Sequence, residues 1–548
     1  MTSLSKQQIL LQIAQIRSME QGKLSAYTFE ERSSNAGPYY KLQHWHNGKN
    51  HTRYVSAEDL PLVQDALGGY AQFRELTHHY AQLVIEETRQ AMRTHAKKKD
   101  LAPEILVAQD QEIQQLMAQF QAQDPRGAAV QELEVLVRTA IFKPANALVG
   151  HLLQAAADRV DAAYVCKPGE QRKGRQSLTV QGLFGTFELC RDYYYHEGKG
   201  QGHYPSDAGL GLEVGYTPAL ARLLCLEGAD EAGYEKAERH LAETGGMAVS
   251  ARQIQRVVQR VGTDAQTWQQ RPAQPVPCDA PILYVSADAT GVPMRKEELA
   301  GRRGKQPDGT AKTRMAYLGC VFTQHQQDEE GHPVRDHEST TYVSSFQPID
   351  EFGPCLRQEA IRRGMGSAGQ VVLLIDGATG LEHMGKHNFK DSVQIVDFYH
   401  AMDHAGQVLA ALLGKDHPDY HAQRRRWAKR LLKDKVRSLI DETRQRCAAK
   451  PQAPSVEERL GYFVRNIERM QYGTFRAKGY FIGSGVVEAG CKTVIGGRCK
   501  QSGMFWSKHG AENVLALRCI HTSRRLDEFW KHRLNTHAAR NDTLSLAA

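Results

Sequence analysis

Three acidic residues stand out for where they fall in the chain. Asp288 ends the apolar run "ILYVSA", Asp376 ends "VVLLI", and Glu488 is the lone acid of the glycine-rich, cationic segment "IGSGVVEAGCKTVIGGRCKQSGMFW". An acid that closes a buried strand is costly unless it is paired or metal-bound. Strand ends are also where several elements converge on one crevice. Three carboxylates brought together repel and raise one another's pKa unless divalent cations lie between them. Mg²⁺ (or Mn²⁺) suits an oxygen-only ligand set that shares substrate phosphates. Two such ions about 3.5–4 Å apart activate a water or 3′-hydroxyl and stabilise the leaving oxygen of an in-line displacement. Each acid also has a plainer reading. "DATG" and "DGATG" are good turn sequences. Glu488 fits the first turn of a helix capped by Ser484, with Lys492 four residues on as its ion-pair partner.

The elements that must position these acids are legible after the Pro-rich stretch "QRPAQPVPCDAP" (residues 270–281), the clearest boundary in the chain. "ILYVSAD", "AYLGCVFTQ" and "STTYVSSFQ" predict a three-stranded meander. "FGPCLRQEAIRRG" predicts a helix, "QVVLLIDGATG" a strand buried on both faces, and "VQIVDFYHA" a fifth strand. From Met402 to about Gln471 the pattern is helical and highly charged, and the glycine-rich segment follows. A meander with one Asp, a later strand with another and a helix with a Glu is the order of a ribonuclease-H-like nucleotidyl-transfer core. A phosphohydrolase with a strand-end Asp nucleophile wants a second acid two residues on, and Thr290 stands there instead.

The preceding half is built differently. "GPYYKLQHWHNGKNHTRYVSAEDL" predicts a hairpin about "NGK", and a long polar helix follows from about residue 60 to 123, broken by "AKKKD" and "DPRG". A helix from Val130 to about Tyr164 precedes "QSLTVQGLFGTFELCRDYYYH", which alternates like two strands joined at a Gly turn. Residues 217–262 then resemble a helix-turn-helix. Ser250 would cap a recognition helix exposing Arg252, Gln253, Arg256 and Arg260, of the side-chain types that read base edges. An ordinary helical pair fits the same pattern. The resulting segments are residues 1–125, 126–269, 281–401, 402–475 and 476–535, giving a multidomain α+β chain.

The 548 residues exceed one hydrophobic core. With 41% hydrophobic and 24% charged residues the chain reads as globular rather than disordered. No apolar run approaches the roughly 18–20 residues a membrane span needs, and the N-terminus lacks a signal-peptide pattern. A cytoplasmic, nucleoid-associated protein is expected, with no membrane partner. Ten cysteines without a CxxC pair argue against a disulfide framework or a standard zinc site. The net charge of +8 is concentrated in "KEELAGRRGKQPDGTAKTR", "RRRWAKRLLKDKVR" and residues 492–533. Such clusters attract phosphate backbones, although a solvated helix face explains the middle one equally well.

The stretch from "VSADATGVPM" through "VVLLIDGA", "QIVDFYHAMDH" and "GSGVVEAGCKTVIGGRCKQSGMFW" resembles bacterial insertion-sequence transposases of the ISKra group, DDE enzymes related to the Mutator-like class. The likeness spans about Tyr284 to Trp530. It implies Asp288, Asp376 and Glu488 as the catalytic, metal-binding triad with two Mg²⁺ or Mn²⁺ ions. It also implies an all-helical insertion before the last acid, and an Asp-x-x-His element matched by Asp397 and His400 in a supporting role. Lys492, Arg498, Lys500 and Lys508 would then meet phosphates, and Trp506 would either stack on an unpaired base or pack as a core Trp beside "VLALRCI". The implied partners are double-stranded DNA, as element ends and target, and further copies of the chain in a synaptic dimer or larger assembly. A ribonuclease-H-like nuclease or resolvase, and a domesticated non-mobile DNA-binding protein, share these features. The family's cysteine pairs are unmatched here, with only Cys166 and Cys190 near "YYYHEGKGQGHYP", and "TGLEHMGKH" replaces the usual aromatic-rich continuation after Asp376.

Overall fold

The computed structural model describes residues 5–27, 38–46, 49–95, 114–115, 118, 127–448 and 451–546. They belong to two compact units, residues 1–111 and 112–548. In the first unit, helix α1 (Lys6–Gln15) opens with a capping box in which Ser5 and Gln8 satisfy each other's free amides. Strands β1 (Lys23–Tyr27), β2 (Tyr39–His46) and β3 (Lys49–Val55) form an antiparallel sheet. The predicted hairpin is its β2–β3 edge, with His46 opposite Lys49. Helix α2 (Leu60–His95) supplies Val63 to a small core with Leu42 and Val55. The "NG", "AKKKD" and "DPR" residues lie outside the described residues.

The second unit holds everything else, so the segments 126–269, 281–401, 402–475 and 476–535 are parts of one compact body. Helix α3 (Gly127–Ala163) lies against a twisted ribbon, β4 (Glu170–Gly182) and β5 (Gly185–His196), which turns where Gly182 faces Gly185. Short elements β6 (Gln201–His203) and α4 (Pro205–Gly209) lead to α5 (Pro218–Asp230), α6 (Tyr234–Gly245) and α7 (Ala251–Gln269). Helix α6 stops at Gly246, whose φ of 63° is the left-handed conformation glycine adopts without strain. Ser250 starts α7, and Gln253 Oε1 accepts from its amide (3.0 Å) and its hydroxyl (2.9 Å). Gln253 is thus spent on the cap, whereas Arg252 and Arg256 are exposed. Residues 272–281 contain no regular element but are fastened down. The Ala273 amide donates to Gln358 Oε1 (2.8 Å) and the Cys278 amide to Ser367 Oγ (2.8 Å).

The centre is a five-stranded mixed sheet of β7 (Ile282–Pro293), β8 (Thr313–Gln324), β11 (Thr341–Ser345), β12 (Gln370–Ile375) and β13 (Val393–Val396). A two-residue pair, β9 (Gln326–Gln327) and β10 (Pro333–Val334), closes the loop after β8. The order is β11-β8-β7-β12-β13. The first three strands pair antiparallel, and β12 runs parallel to both β7 and β13. Helices α8 (Ile349–Arg362) and α9 (Thr379–Asn388) cover one face, packing Phe352, Leu356 and Met384 on Leu283, Val285 and Leu373.

Two expectations are corrected. Strand β7 does not end at Asp288: "DATGVP" continues it, pairing Thr290 with Ala316 and Gly291 with Met315. The fifth strand ends at Val396, and "DFYHA" is instead the start of α10 (Phe398–Leu413), capped by Asp397. Helices α11 (Tyr420–Leu431), α12 (Val436–Cys447), α13 (Ala453–Asn466) and α14 (Tyr472–Ala477) follow as the helical block. Then come α15 (Gly485–Gly490), α16 (Gly497–Cys499), α17 (Lys508–Thr522) and α18 (Leu526–Leu546). Among the described residues no helix is long and apolar enough to cross a membrane.

Helix α7 is joined to α17 along its length. Buried Asn513 donates to Gln259 O (2.9 Å) and Gln259 Oε1 (3.0 Å). A methyl at Gly262 would lie 2.5 Å from Asn513 Cβ and 2.8 Å from its backbone. Gly262→Val should therefore lower stability by about 1–3 kcal/mol, the usual cost of overpacking, seen as a lower urea midpoint. An unchanged midpoint would mean that α7 does not pack so closely.

Candidate active site

Strand register brings two of the acids together. Ile375 lies opposite Ala287, so Asp288 and Asp376 follow a matched pair on adjacent parallel strands. Asp288 Oδ1 accepts from the Ala289 amide (2.7 Å), and Asp376 Oδ1 from the Ala378 amide (2.8 Å). The turn reading of "DGA" is thereby realised, while the second oxygen of Asp376 stays available. Burial raises the Asp376 pKa above its ordinary value; the Ala378 amide and His400 oppose that, and the charge of Asp288 adds to it. Cys491 is pushed up in the same way, by burial first and then by Asp288.

The third acid is delivered by a loop locked to the sheet. Buried Tyr284 accepts the Phe481 amide on its hydroxyl (3.1 Å), and Gln324 Nε2 donates to Gly479 O (3.0 Å). The Phe398 amide donates to Ile482 O (2.8 Å), and the Ser484 amide to Asp397 Oδ2. Ser484 is the residue before α15, as expected, but its hydroxyl bonds Glu488 Oε1 (2.8 Å). That bond, rather than an ion pair with Lys492, holds the Glu488 side chain. Gly483 and Gly490 are needed for close approach. A methyl at Gly483 would lie 3.0 Å from the Tyr399 ring, and one at Gly490 2.6 Å from the Tyr342 ring. Cys491–Gly496 then form a π-helical turn, a local widening that often marks functional sites. Its displaced carbonyls meet a buried guanidinium: Arg518 donates to Val494 O (2.7 Å) and Thr493 O (2.8 Å). The same group reaches Ala229 O (2.8 Å) at the end of α5.

Asp288 and Glu488 line one cavity of about 610 Å³ with His400, Tyr399, Lys492 and Lys500. Lys492 and Lys500 are exposed, and Lys500 bonds Thr290. Asp376 lies behind, its charge felt by His400 and by Tyr462 of α13, whose ring stacks on His404 with centroids 3.7 Å apart. The ligand atoms of the three predicted acids do not form a group within 4.8 Å. Among the described residues the sets that do are Asp397, His400 and Glu488, and separately Glu227, Glu231 and His240. Asp397 is fully buried and its oxygens are taken by Ser484 and His400, the latter through both its amide (2.6 Å) and Nδ1 (3.0 Å). The pair therefore orients Glu488 and its loop.

Other predicted contacts fall differently. Arg498 is 1% exposed, donates to Gly228 O (3.2 Å), and sits over the rings of Tyr234 and Trp506. Trp506 is buried, its indole donating to Cys499 O (3.2 Å) and its amide to Pro293 O (3.1 Å). Desolvation on this scale removes both from any surface duplex, so their place in the structure is to seat the cationic segment on β7. Lys508 is half-buried and bonds Gln347 Oε1 (3.1 Å). Sequence reasoning passed over Tyr399, 68% exposed and lining the cavity; a second aromatic in the first turn after a helix cap was the available signal. It also passed over Tyr462, which only the folding of α13 onto α10 brings against His404.

No family model and no curated protein matches the chain. Among solved structures, the Drosophila P element transposase strand transfer complex is similar over 59% of this chain and 81% of that one, with 11% identity and a TM-score of 0.22. A likeness of that size carries no argument.

The Asp397–His400 pair sets a pH window. The hydrogen bond from Asp397 pushes the His400 pKa up to about 9 from 6.5, and bonds from His400 and Ser484 hold Asp397 below 3.8 against its burial. The His400 contribution to stability is complete below 6.5 and is lost as pH rises through about 9; that of Asp397 is present above 3.8 and is lost as pH falls below it. Asp397→Asn should return His400 titration towards 6.5 by NMR and cost about 1.5–3 kcal/mol at neutral pH, the worth of hydrogen bonds to a charge. A His400 titration near 9 in that variant would disprove the pairing.

Proposed function

We propose that the chain is a DDE transposase whose five-stranded unit is ribonuclease-H-like. In this reading Asp288, Asp376 and Glu488 hold two Mg²⁺ or Mn²⁺ ions that carry out strand cleavage and strand transfer at the ends of an insertion sequence. One observation carries the reading. Two partly buried carboxylates, Asp288 and Glu488, line one cavity, a third, Asp376, follows the strand next to that of Asp288, and none of the three is ion-paired with a Lys or Arg among the described residues. Acids left that way are costly, and a divalent cation relieves the cost. The raised pKa of Asp376, which burial dominates and Asp288 increases, is the strain a cation would remove. The donor set is all oxygen, which fits a hard cation.

Strand order supports the fold reading, since a three-stranded antiparallel meander followed by two parallel strands on the far side of the first is the ribonuclease-H arrangement. When bound, the ions would polarise a phosphodiester and activate the attacking oxygen. The chain's own part is positioning. The Ser484 hydroxyl fixes Glu488, Asp397 holds the Ser484 amide, and Lys492 and Lys500 attract phosphates into the cavity. Exposed Tyr399 offers a stacking face at the mouth. Arg252 and Arg256 on α7 are free to meet a groove of the element end. Synapsis of two ends requires at least two copies of the chain.

Excision from a donor plasmid carrying the native flanking DNA tests this reading. Wild type should excise the element. Glu488→Gln, which keeps shape and removes charge, should lose activity by more than the roughly 10–100-fold that loss of an outer-sphere partner costs, while still shifting end DNA in a gel. An equally active variant would reduce Glu488 to a helix-start acid and remove the proposed site.

A further inference from the structure

The helical block carries a second cavity, of about 1100 Å³, that the catalytic reading does not use. Seven cations line it: Arg425, Arg426, Lys429 and Arg430 from α11, Lys433 and Lys435 from the turn, and Arg437 from α12. Two acids share the lining, and both are engaged. Glu442 pairs with Arg426 (3.1 Å) and Arg430. Asp434 accepts the amides of Gly473 (2.6 Å) and Thr474 (2.9 Å). Trp427 and Leu431 face the core, which turns Arg425, Arg426 and Lys429 outward on the opposite side of the helix.

The turn is built to present charge. Asp434 has a φ of 59°, a left-handed conformation that a non-glycine residue adopts at a cost. Its carboxylate bonds to the start of α14 hold it there and set Lys433 and Lys435, both exposed, on the rim. Arg425 and Lys429 lie four residues apart on α11, about 6 Å of axial rise, and Lys433 follows in the turn after it. A step of about 6 Å is close to two phosphate spacings on one DNA strand, about 3.4 Å each. A solvated helix face would spread its cations and pair them with acids at helical spacing. Here they converge from two helices and a turn on one concavity with no free acid in it.

We propose that this cavity is a second phosphate-backbone site that grips duplex DNA away from the cavity of Asp288 and Glu488. The choice of duplex DNA as occupant rests on the transposase reading; the polyanion chemistry does not. Arg425, Lys429 and Lys433 bind the phosphates. Arg426 and Arg430, tied to Glu442, fix the spacing of α11 and α12.

The test measures affinity of the full chain for a generic 30-base-pair duplex, without element ends and with EDTA present, as a function of salt. The triple variant Arg425→Ala/Lys429→Ala/Lys433→Ala should bind about 10–100-fold more weakly at low salt. Its log–log salt slope should be shallower by about 2.7, near 0.9 for each phosphate that is no longer neutralised. The triple variant Lys390→Ala/Lys415→Ala/Lys478→Ala makes the same charge change elsewhere and should keep the wild-type slope. Arg425→Lys with the other two residues intact should also keep it. Equal slopes for both triple variants would overturn the proposal. So would wild-type protein that binds inorganic tripolyphosphate at this cavity but no duplex, which would make it a small-polyanion site. Metal and end DNA are absent, so the result is separate from catalysis. A shallower slope in the first triple variant of a chain that never excises DNA would sink the transposase reading and leave the backbone site standing.

Discussion

The whole arrangement depends on one buried carboxylate. Asp397 sits where β13 gives way to α10, with no exposed surface, and its two oxygens hold His400 on its own helix and Ser484 on a loop far along the chain. A buried charge of this kind persists only when its lone pairs are filled, so the two segments cannot drift apart without stranding it. The Ser484 hydroxyl then passes that fixity to Glu488. The sheet supplies two acids through register alone, and this chain of bonds sets the side chain of the third.

A second constraint acts from behind. The π-helical turn after Glu488 leaves carbonyls out of the usual ladder, and Arg518 takes two of them while bonding the end of α5. Arg498 does comparable work nearby, stacked between Tyr234 and Trp506 and donating to Gly228 O. Guanidinium groups suit this because a rigid, planar fork satisfies several acceptors at once. The cationic segment is thus two populations: buried arginines that build it, and exposed lysines that face the cavity.

That division explains what the sequence could and could not say. The core strands were legible because short apolar runs such as "VVLLI" are read as strands buried on both faces. The extension of β7 was hidden, since "DATGVP" carries turn residues and only pairing with β8 makes it strand. Asp397 was legible as a motif member but misplaced on a strand, because its capping bond to His400 leaves no periodic trace. Arg498 was assigned to the surface because composition counts charge without reporting burial, whereas the burial of Trp506 fits its core alternative. The contact of Tyr462 with His404 depends on how the helical block folds back, which local patterns do not encode.

Long-range construction also sets a timetable. About 200 residues separate Asp288 from Glu488, and at roughly 5–20 residues per second a ribosome spends about 10–40 s between them. Helix α7 is made long before α17, the partner that fills its buried face. During that interval a nascent chain has its sheet acids but neither the loop nor the helix that completes the cavity. Partial products therefore lack a complete cavity, and their α7 face stays uncovered on the α17 side until α17 is made.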